Sequence, residues 1–247
     1  MRTLRTIKLT LEYDGTHFVG WQRQANGRSV QAEVERAVEA LTQPPARVVA
    51  AGPTDAGVHA LGQVAHFRTA SMLAIERLVS GLNALLPPDV SVREAVDTPP
   101  DFHARRDARF RVYRYAILRR PAPSALLRPY VHHVFGSLDL EAMHAALTRV
   151  VGTHDFRAFR ALGTPTKTSR CALLLAELTE REDLLFLTFG ADRFLRHMAR
   201  MIVGTVLRVG RGALVPDEVT RLLESGTDGS GGPAAPPHGL YLIHVGY

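Results

Sequence analysis

The N-terminal segment changes its hydrophobic period once. Ile7, Leu9, Leu11 and Tyr13 alternate with Lys8, Thr10 and Glu12, the two-residue period of a half-buried strand. Asp14-Gly15 ends that run. From Ser29, the residues Val30, Val34, Ala37, Val38 and Leu41 recur at helical spacing, with Glu33, Glu35, Arg36 and Glu39 mostly outside the apolar stripe. Pro44-Pro45 stops the helix. Arg47 to Ala51 reads as a second strand and Gly62 to Thr69 as a third. Ile75, Leu78, Leu82, Leu85 and Leu86 predict a second helix that ends before Pro87-Pro88, and Val90 to Val96 closes the half as a strand.

The same order of elements then recurs. Phe110 to Leu118 predicts a strand, and Leu140, Met143, Leu147, Val150 and Val151 predict a helix. Arg170 to Thr179 and Leu184 to Phe189 fit two further strands. A long helix starts near His197 and carries Met198, Met201, Ile202, Thr205, Val206 and Val209. A shorter helix follows Pro216-Asp217, Ser225 to His238 reads as a Gly-, Pro- and Ser-rich loop, and Leu240 to Tyr247 makes the last strand. Strand–helix–strand–strand–helix–strand, twice, is the split βαβ plan of an α+β fold: mainly antiparallel sheets with helices packed on one face. The boundary falls near Ala104, which divides the chain into halves 1–104 and 105–247.

Composition narrows the setting. The 247 residues are 46% hydrophobic and 22% charged, ordinary for a globular chain. Cys171 stands alone, which excludes an internal disulfide framework and a multi-cysteine zinc site. No apolar run is long enough to span a membrane, and MRTLRTIKLTLEYDG leads from basic residues directly into a strand, so a cytoplasmic protein is expected. The formal charge of +6 rests on 28 arginines against only Lys8 and Lys167. Residues 101–120 carry a net +5 and residues 191–212 a net +4, which leaves the remainder at −3. Two such concentrations on a mildly acidic background point to a basic groove, and nucleic acid is the commonest ligand of one. In the first, Tyr113 and Tyr115 alternate with Arg114 on the predicted strand; such rings either stack unpaired bases or pack under helices. Spacings of three and four place Arg193, Arg196 and Arg200 along one helical face.

Most catalytic patterns are missing. There is no HExxH, no Walker loop, no GxGxxG opening a helix, and Gly229-Ser230-Gly231 falls in a loop expected to be floppy rather than in a strand-to-helix elbow. No metal or cofactor is expected. What remains is Gly52-Pro53-Thr54-Asp55-Ala56-Gly57-Val58-His59, where an Asp follows a short apolar strand and stands between two glycines. A carboxylate held there by an arginine can serve as nucleophile or base. By spacing alone it can equally cap a turn.

Resemblance separates these readings. Glu12-Tyr13-Asp14-Gly15-Thr16-His17-Phe18-Val19-Gly20-Trp21-Gln22-Arg23-Gln24 resembles the opening signature of the tRNA pseudouridine synthase A family, and Thr54-Asp55-Ala56-Gly57-Val58-His59-Ala60 resembles its catalytic motif. Asp101-Phe102-His103-Ala104-Arg105, Tyr113-Arg114-Tyr115, the stretch from Phe194 to Gly204 and His238-Gly239-Leu240-Tyr241 follow in family order. The resemblance implies two ferredoxin-like halves joined in a continuous sheet with the active cleft between them. It further implies cofactor-free isomerisation of uridine to pseudouridine at positions 38, 39 and 40 of tRNA, by a homodimer. Asp55 is then the nucleophile, Arg200 its partner, and Tyr113 a contact of the target base. Arg105, Arg106 and Arg196 are further candidates for holding RNA. The competing expectation is a tRNA-binding protein of the same fold without catalysis. One position departs from the family pattern, which usually places arginine immediately before Thr-Asp where this chain has Pro53.

Overall fold

The computed structural model describes residues 4–163 and 166–247; the first three residues of the basic lead-in, Met1–Thr3, lie outside them. In chain order the elements are β1 (Arg5–Tyr13), α1 (Val30–Thr42), β2 (Val49–Ala50), β3 (His59–Thr69), α2 (Ile75–Leu85), β4 (Val90–Thr98), β5 (Phe110–Leu118), β6 (His132–His133), α3 (Leu140–Val150), β7 (Gly152–Asp155), β8 (Arg170–Arg181), β9 (Leu184–Ala191), α4 (Met198–Gly210), α5 (Asp217–Ser225) and β10 (Leu240–Gly246). The architecture is α+β, with five helices and mostly antiparallel strands among the described residues. No helix there is long and apolar enough to cross a membrane. The chain forms two compact units: one runs to Arg109 and includes Tyr241–Tyr247, the other is Phe110–Leu240.

In the first unit β1 is central and pairs antiparallel with both β3 and β4. β2 joins β3 through Val49 and Ala50, and β10 runs parallel to β3 through Tyr241 opposite His59. The alternation of β1 is physical: Ile7, Leu9 and Leu11 are fully buried, while Lys8 and Thr10 remain half-exposed. Each such apolar side chain contributes about 1.5–3 kcal/mol on burial. Val34 and Val38 of α1 and Leu78 and Leu82 of α2 complete this core. Ser29 caps α1 through its hydroxyl, which accepts from Ala32 N. Beside it Arg28 forms a fork to Asp89 (2.6 and 2.9 Å) and a bond to Glu33 (2.8 Å), tying the helix start to the turn before β4.

In the second unit β5 pairs antiparallel with β9, β9 with β8 and β8 with β7, while β6 runs parallel to β5. β6 and β7 are too short to show a period. Two sequence expectations change here. His197 adopts a left-handed conformation (φ +64°) immediately before α4, so Arg193 and Arg196 precede the helix and do not share a face with Arg200. The Ser225–His238 loop is fastened rather than floppy: Gly231 N donates to Ala158 O, Thr205 Oγ1 donates to Gly231 O, and a Cβ on Gly204 would lie 2.2 Å from Pro233 O.

Candidate active site

Between β2 and β3 the chain makes a tight turn that carries Asp55. Val58 N donates to the Asp55 carbonyl at 3.2 Å, and Gly57 takes the positive φ (+74°) that closes the turn. Asp55 is half-buried, Thr54 is buried, and Pro53 is exposed. The loop after β1 clasps this turn from outside. Trp21 N donates to Thr54 O (3.0 Å), and Gly57 N donates to Phe18 O (3.3 Å). The approach is so close that a Cβ on Gly15 would sit 2.1 Å from Val58 O, and one on Gly20 would sit 2.6 Å from Thr54 O. The Tyr13-to-Trp21 motif and the Thr54-to-His59 motif are therefore one object, held together backbone to backbone.

A buried polar network supports the turn from below. The Tyr13 hydroxyl lies 2.7 Å from Thr54 Oγ1, and Gln63 Nε2 donates to Gly52 O (2.7 Å) and to the Tyr13 hydroxyl (3.3 Å). The Tyr13 oxygen accepts from Gln63, and in its bond with Thr54 either hydroxyl can donate its proton. Burial pushes Tyr13 up to about 12, against the two hydrogen bonds, so the Tyr13 hydroxyl keeps its proton. His59 Nδ1 accepts from Gly15 N at 3.0 Å, and its ring stacks on Tyr241 at 4.8 Å. Asp14 Oδ1 lies 3.1 Å from the same nitrogen and also accepts from the Thr16 amide and hydroxyl. Trp21 is 2% exposed and tilted on Tyr13, a packing residue.

Arg105 and Arg106 also belong to this unit. Both are exposed, in a turn whose two amides donate to His103 Nδ1 (3.2 and 3.3 Å).

Tyr113, Arg196 and Arg200 belong to the second unit. Tyr113 on β5 faces Phe189 of β9 in register and meets Phe194 edge-on at 4.9 Å. It is half-buried, whereas Tyr115, two residues on, is fully buried and donates its hydroxyl to Pro236 O (2.8 Å). The two tyrosines thus part company: Tyr115 is core and Tyr113 has an accessible side. Arg196 is exposed, and its carbonyl accepts from Ala161 N. Arg200 lies in the first turn of α4, half-buried. Its Nε donates to Ala235 O (2.7 Å) while Ala235 N donates back to its carbonyl (2.9 Å), so the Ser225–His238 loop aims the guanidinium.

Sequence reasoning did not single out Tyr13, Gln63 or Phe194 as supports. Tyr13 and Gln63 read there as ordinary strand positions, and only the register between β1 and β3 brings them under the Asp55 turn. Among the described residues no three His, Cys, Asp or Glu side chains gather as a metal site would require.

A family model described as tRNA pseudouridine synthase matches residues 10–107 and 146–247. The chain is 42% identical over 244 residues to the tRNA pseudouridine synthase A of Acetivibrio thermocellus, covering 99% of this chain and 100% of that one. It is 43% identical over 244 residues to the protein of the same name from Syntrophotalea carbinolica, covering 99% and 97% of the two chains. Against that of Chloroflexus aurantiacus (strain J-10-fl) identity is 47% over 250 residues, covering 99% and 89%. The matched stretches include both clasped motifs, the Arg105–Arg106 turn and the first turn of α4, and the chain belongs to the tRNA pseudouridine synthase A family.

Proposed function

We propose that this protein isomerises uridine to pseudouridine at positions 38, 39 and 40 in the anticodon stem-loop of tRNA, without a cofactor, using Asp55. The observation that carries the reading is the Asp55 turn itself, a half-buried carboxylate on a backbone clasped by the Gly15–Trp21 loop and underpinned by Tyr13 and Gln63. Rigid placement of this kind is what a reacting group needs.

In the reaction the bond between ribose C1′ and uracil N1 breaks, the base turns, and C1′ rejoins through C5. The C5 hydrogen leaves as a proton and N1 gains one, so the process is redox-neutral. The Asp55 carboxylate either adds to C1′ or takes the C2′ proton to give a glycal; both routes place it against the ribose. The uridine first leaves the stack at a cost of about a few kcal/mol. Tyr113, with Phe194 behind it, offers a platform against the flipped ring, and Arg200 pairs with Asp55. Arg105, Arg106 and Arg196 hold RNA phosphates. The reading further takes each half as ferredoxin-like, the two joined in one sheet, and the active form as a homodimer. The β4-β1-β3-β2 order of the first unit supports the ferredoxin-like reading of that half.

Release of tritium from tRNA labelled at uridine C5 tests the proposal. The unmodified protein is expected to release it, and Asp55→Asn to bind tRNA without release. Turnover by Asp55→Asn would end the assignment of the nucleophile. Binding without release by the parent would favour the non-catalytic reading, for which Pro53 is the specific support.

A further inference from the structure

The turn that displays Arg105 and Arg106 is fastened at one residue. Ala104 is fully buried, and each of its backbone polar groups takes a side-chain partner from a different part of the unit. Its N–H donates to His66 Nδ1 on β3 at 3.1 Å. Its carbonyl accepts from the hydroxyl of Tyr247, just after β10, at 2.7 Å. Buried backbone groups need partners, so the course of the turn depends on these two side chains. The His66 ring stands edge-on to Phe102 (5.9 Å) and tilted to His103 (4.9 Å), and Phe102 packs on Tyr247 (5.2 Å). The ring also donates to the Val49 backbone, which leaves Nδ1 as the lone-pair nitrogen that the Ala104 amide requires. Beyond Ala104 the turn closes on His103, whose Nδ1 accepts from Arg105 N and Arg106 N and whose amide donates to Asp107 Oδ2.

We infer that His66 and Tyr247 are positioning residues that set the Arg105–Arg106 turn for RNA by gripping both backbone groups of Ala104, and that a proton on His66 loosens the grip. The inference rests on the proposed role of Arg105 and Arg106 as RNA contacts. A protonated His66 presents N–H to N–H, and the buried Ala104 amide loses its acceptor. Burial opposes that proton first, then repulsion from His103 and Arg68, while the Val49 carbonyl and Asp107 favour it. On the other partner, Lys8 Nζ lies 5.7 Å from the Tyr247 ring centre. The balance holds His66 below the ordinary imidazole range, so the grip is complete at neutral pH and weakens as pH falls through the His66 value.

The test compares KM and kcat for tRNA, from pH 7.5 downward through the acid range in which the parent stays folded, in the parent, His66→Leu, His66→Asn, Tyr247→Phe and the double variant Arg105→Ala/Arg106→Ala. Exchange of the Ala104 amide is followed in the same proteins without RNA. His66→Leu and Tyr247→Phe are expected to raise KM on the order of tenfold, the loss of one buried hydrogen bond, with kcat little changed. His66→Asn offers an oxygen close to where Nδ1 stands and cannot gain a proton. It is expected to recover KM relative to His66→Leu and to flatten the acid rise in KM that the parent shows. Ala104 exchange is expected to quicken on acidification in the parent and not in His66→Asn. A parent-like KM in Tyr247→Phe, or the same acid profile in the parent and His66→Asn, overturns the inference. If His66→Leu does not fold, Tyr247→Phe, which keeps its ring, decides. An unchanged KM in the double arginine variant refutes the RNA role of those residues, and the amide exchange still reads the grip by itself.

Discussion

Gly20→Ala is the sharpest test of the idea that the loop after β1 sets the position of Asp55. Gly20 adopts φ +109°, a conformation that L side chains rarely take, and an added Cβ would stand 2.6 Å from Thr54 O and 3.1 Å from the Asp55 carbonyl carbon. Ordinary van der Waals contact begins at 3.4 Å, so one of the two backbones must yield by about 0.8 Å. Neither neighbour is the far end of a flexible side chain. The backbone strain alone costs about 1–3 kcal/mol. A displacement near 1 Å of a reacting group lowers the chemical step by up to about 100-fold. Single-turnover tritium release from C5-labelled tRNA, paired with urea unfolding, separates the two effects. The variant is expected to lose about 2–4 kcal/mol of stability and to react about 10–100-fold more slowly, well after folding is ensured. Gly136→Ala supplies the control, because Gly136 has φ +91° with none of the described residues within 4 Å of the added carbon. It is expected to lose about 1–2 kcal/mol and to keep the parent rate. Parent-like turnover in Gly20→Ala would refute the reasoning, as would an equal slowing in Gly136→Ala.

Three further outcomes are expected. Tyr13→Phe removes the hydroxyl between Thr54 and Gln63 and should cost about 1–3 kcal/mol in urea unfolding together with a fall in kcat; a fall in neither would detach the network from the turn. Pro53→Arg installs the arginine that the resemblance leads one to expect, at an exposed position beside Gly52, whose own Cβ would meet nothing within 4 Å among the described residues, so KM for tRNA should drop several-fold without loss of stability; an unchanged KM would mean that another group already does the work. Burial, with smaller contributions from His238, Arg211 and His133, pushes His132 down to about 4 while its Nδ1 has no hydrogen-bond partner among the described residues. The folded state therefore holds fewer protons than the unfolded one between about pH 6.5 and 4, and stability is intact above that window and falls through it. After discounting for partial exposure the loss is about 1–2 kcal/mol, and unfolding at pH 7.5 and 4.5 should show an acid loss larger by that amount in the parent than in His132→Asn; equal losses would refute it.

What could be read in advance divides along a physical line. The strands and helices that bury one face announce themselves by period, and β1, α1, α2, β5 and α3 fall within a residue or two of where alternation or helical spacing puts them. β6 and β7 bury no face of their own and had nothing to announce. The start of α4 is legible too, within a residue of His197, but three arginines at spacings of three and four imitate a helix stripe across it, and the left-handed His197 shows that Arg193 and Arg196 lie before the helix. At the candidate site the same division holds. Asp55 stands out because glycines surround it, yet sequence presents Gly15 and Gly20 only as punctuation of a loop. Their purpose is the approach of two backbones to within a distance that no side chain tolerates, a property of pairs of residues far apart in the chain. Tyr13, Gln63, His66 and Tyr247 are hidden in the same way, since each acts on a peptide group or hydroxyl reached across a strand register. The reacting group is thus marked by its own neighbours in sequence, whereas the parts that aim it are marked only by what they touch, and variants of those parts, rather than of Asp55, are where the geometry makes predictions that the motif could not.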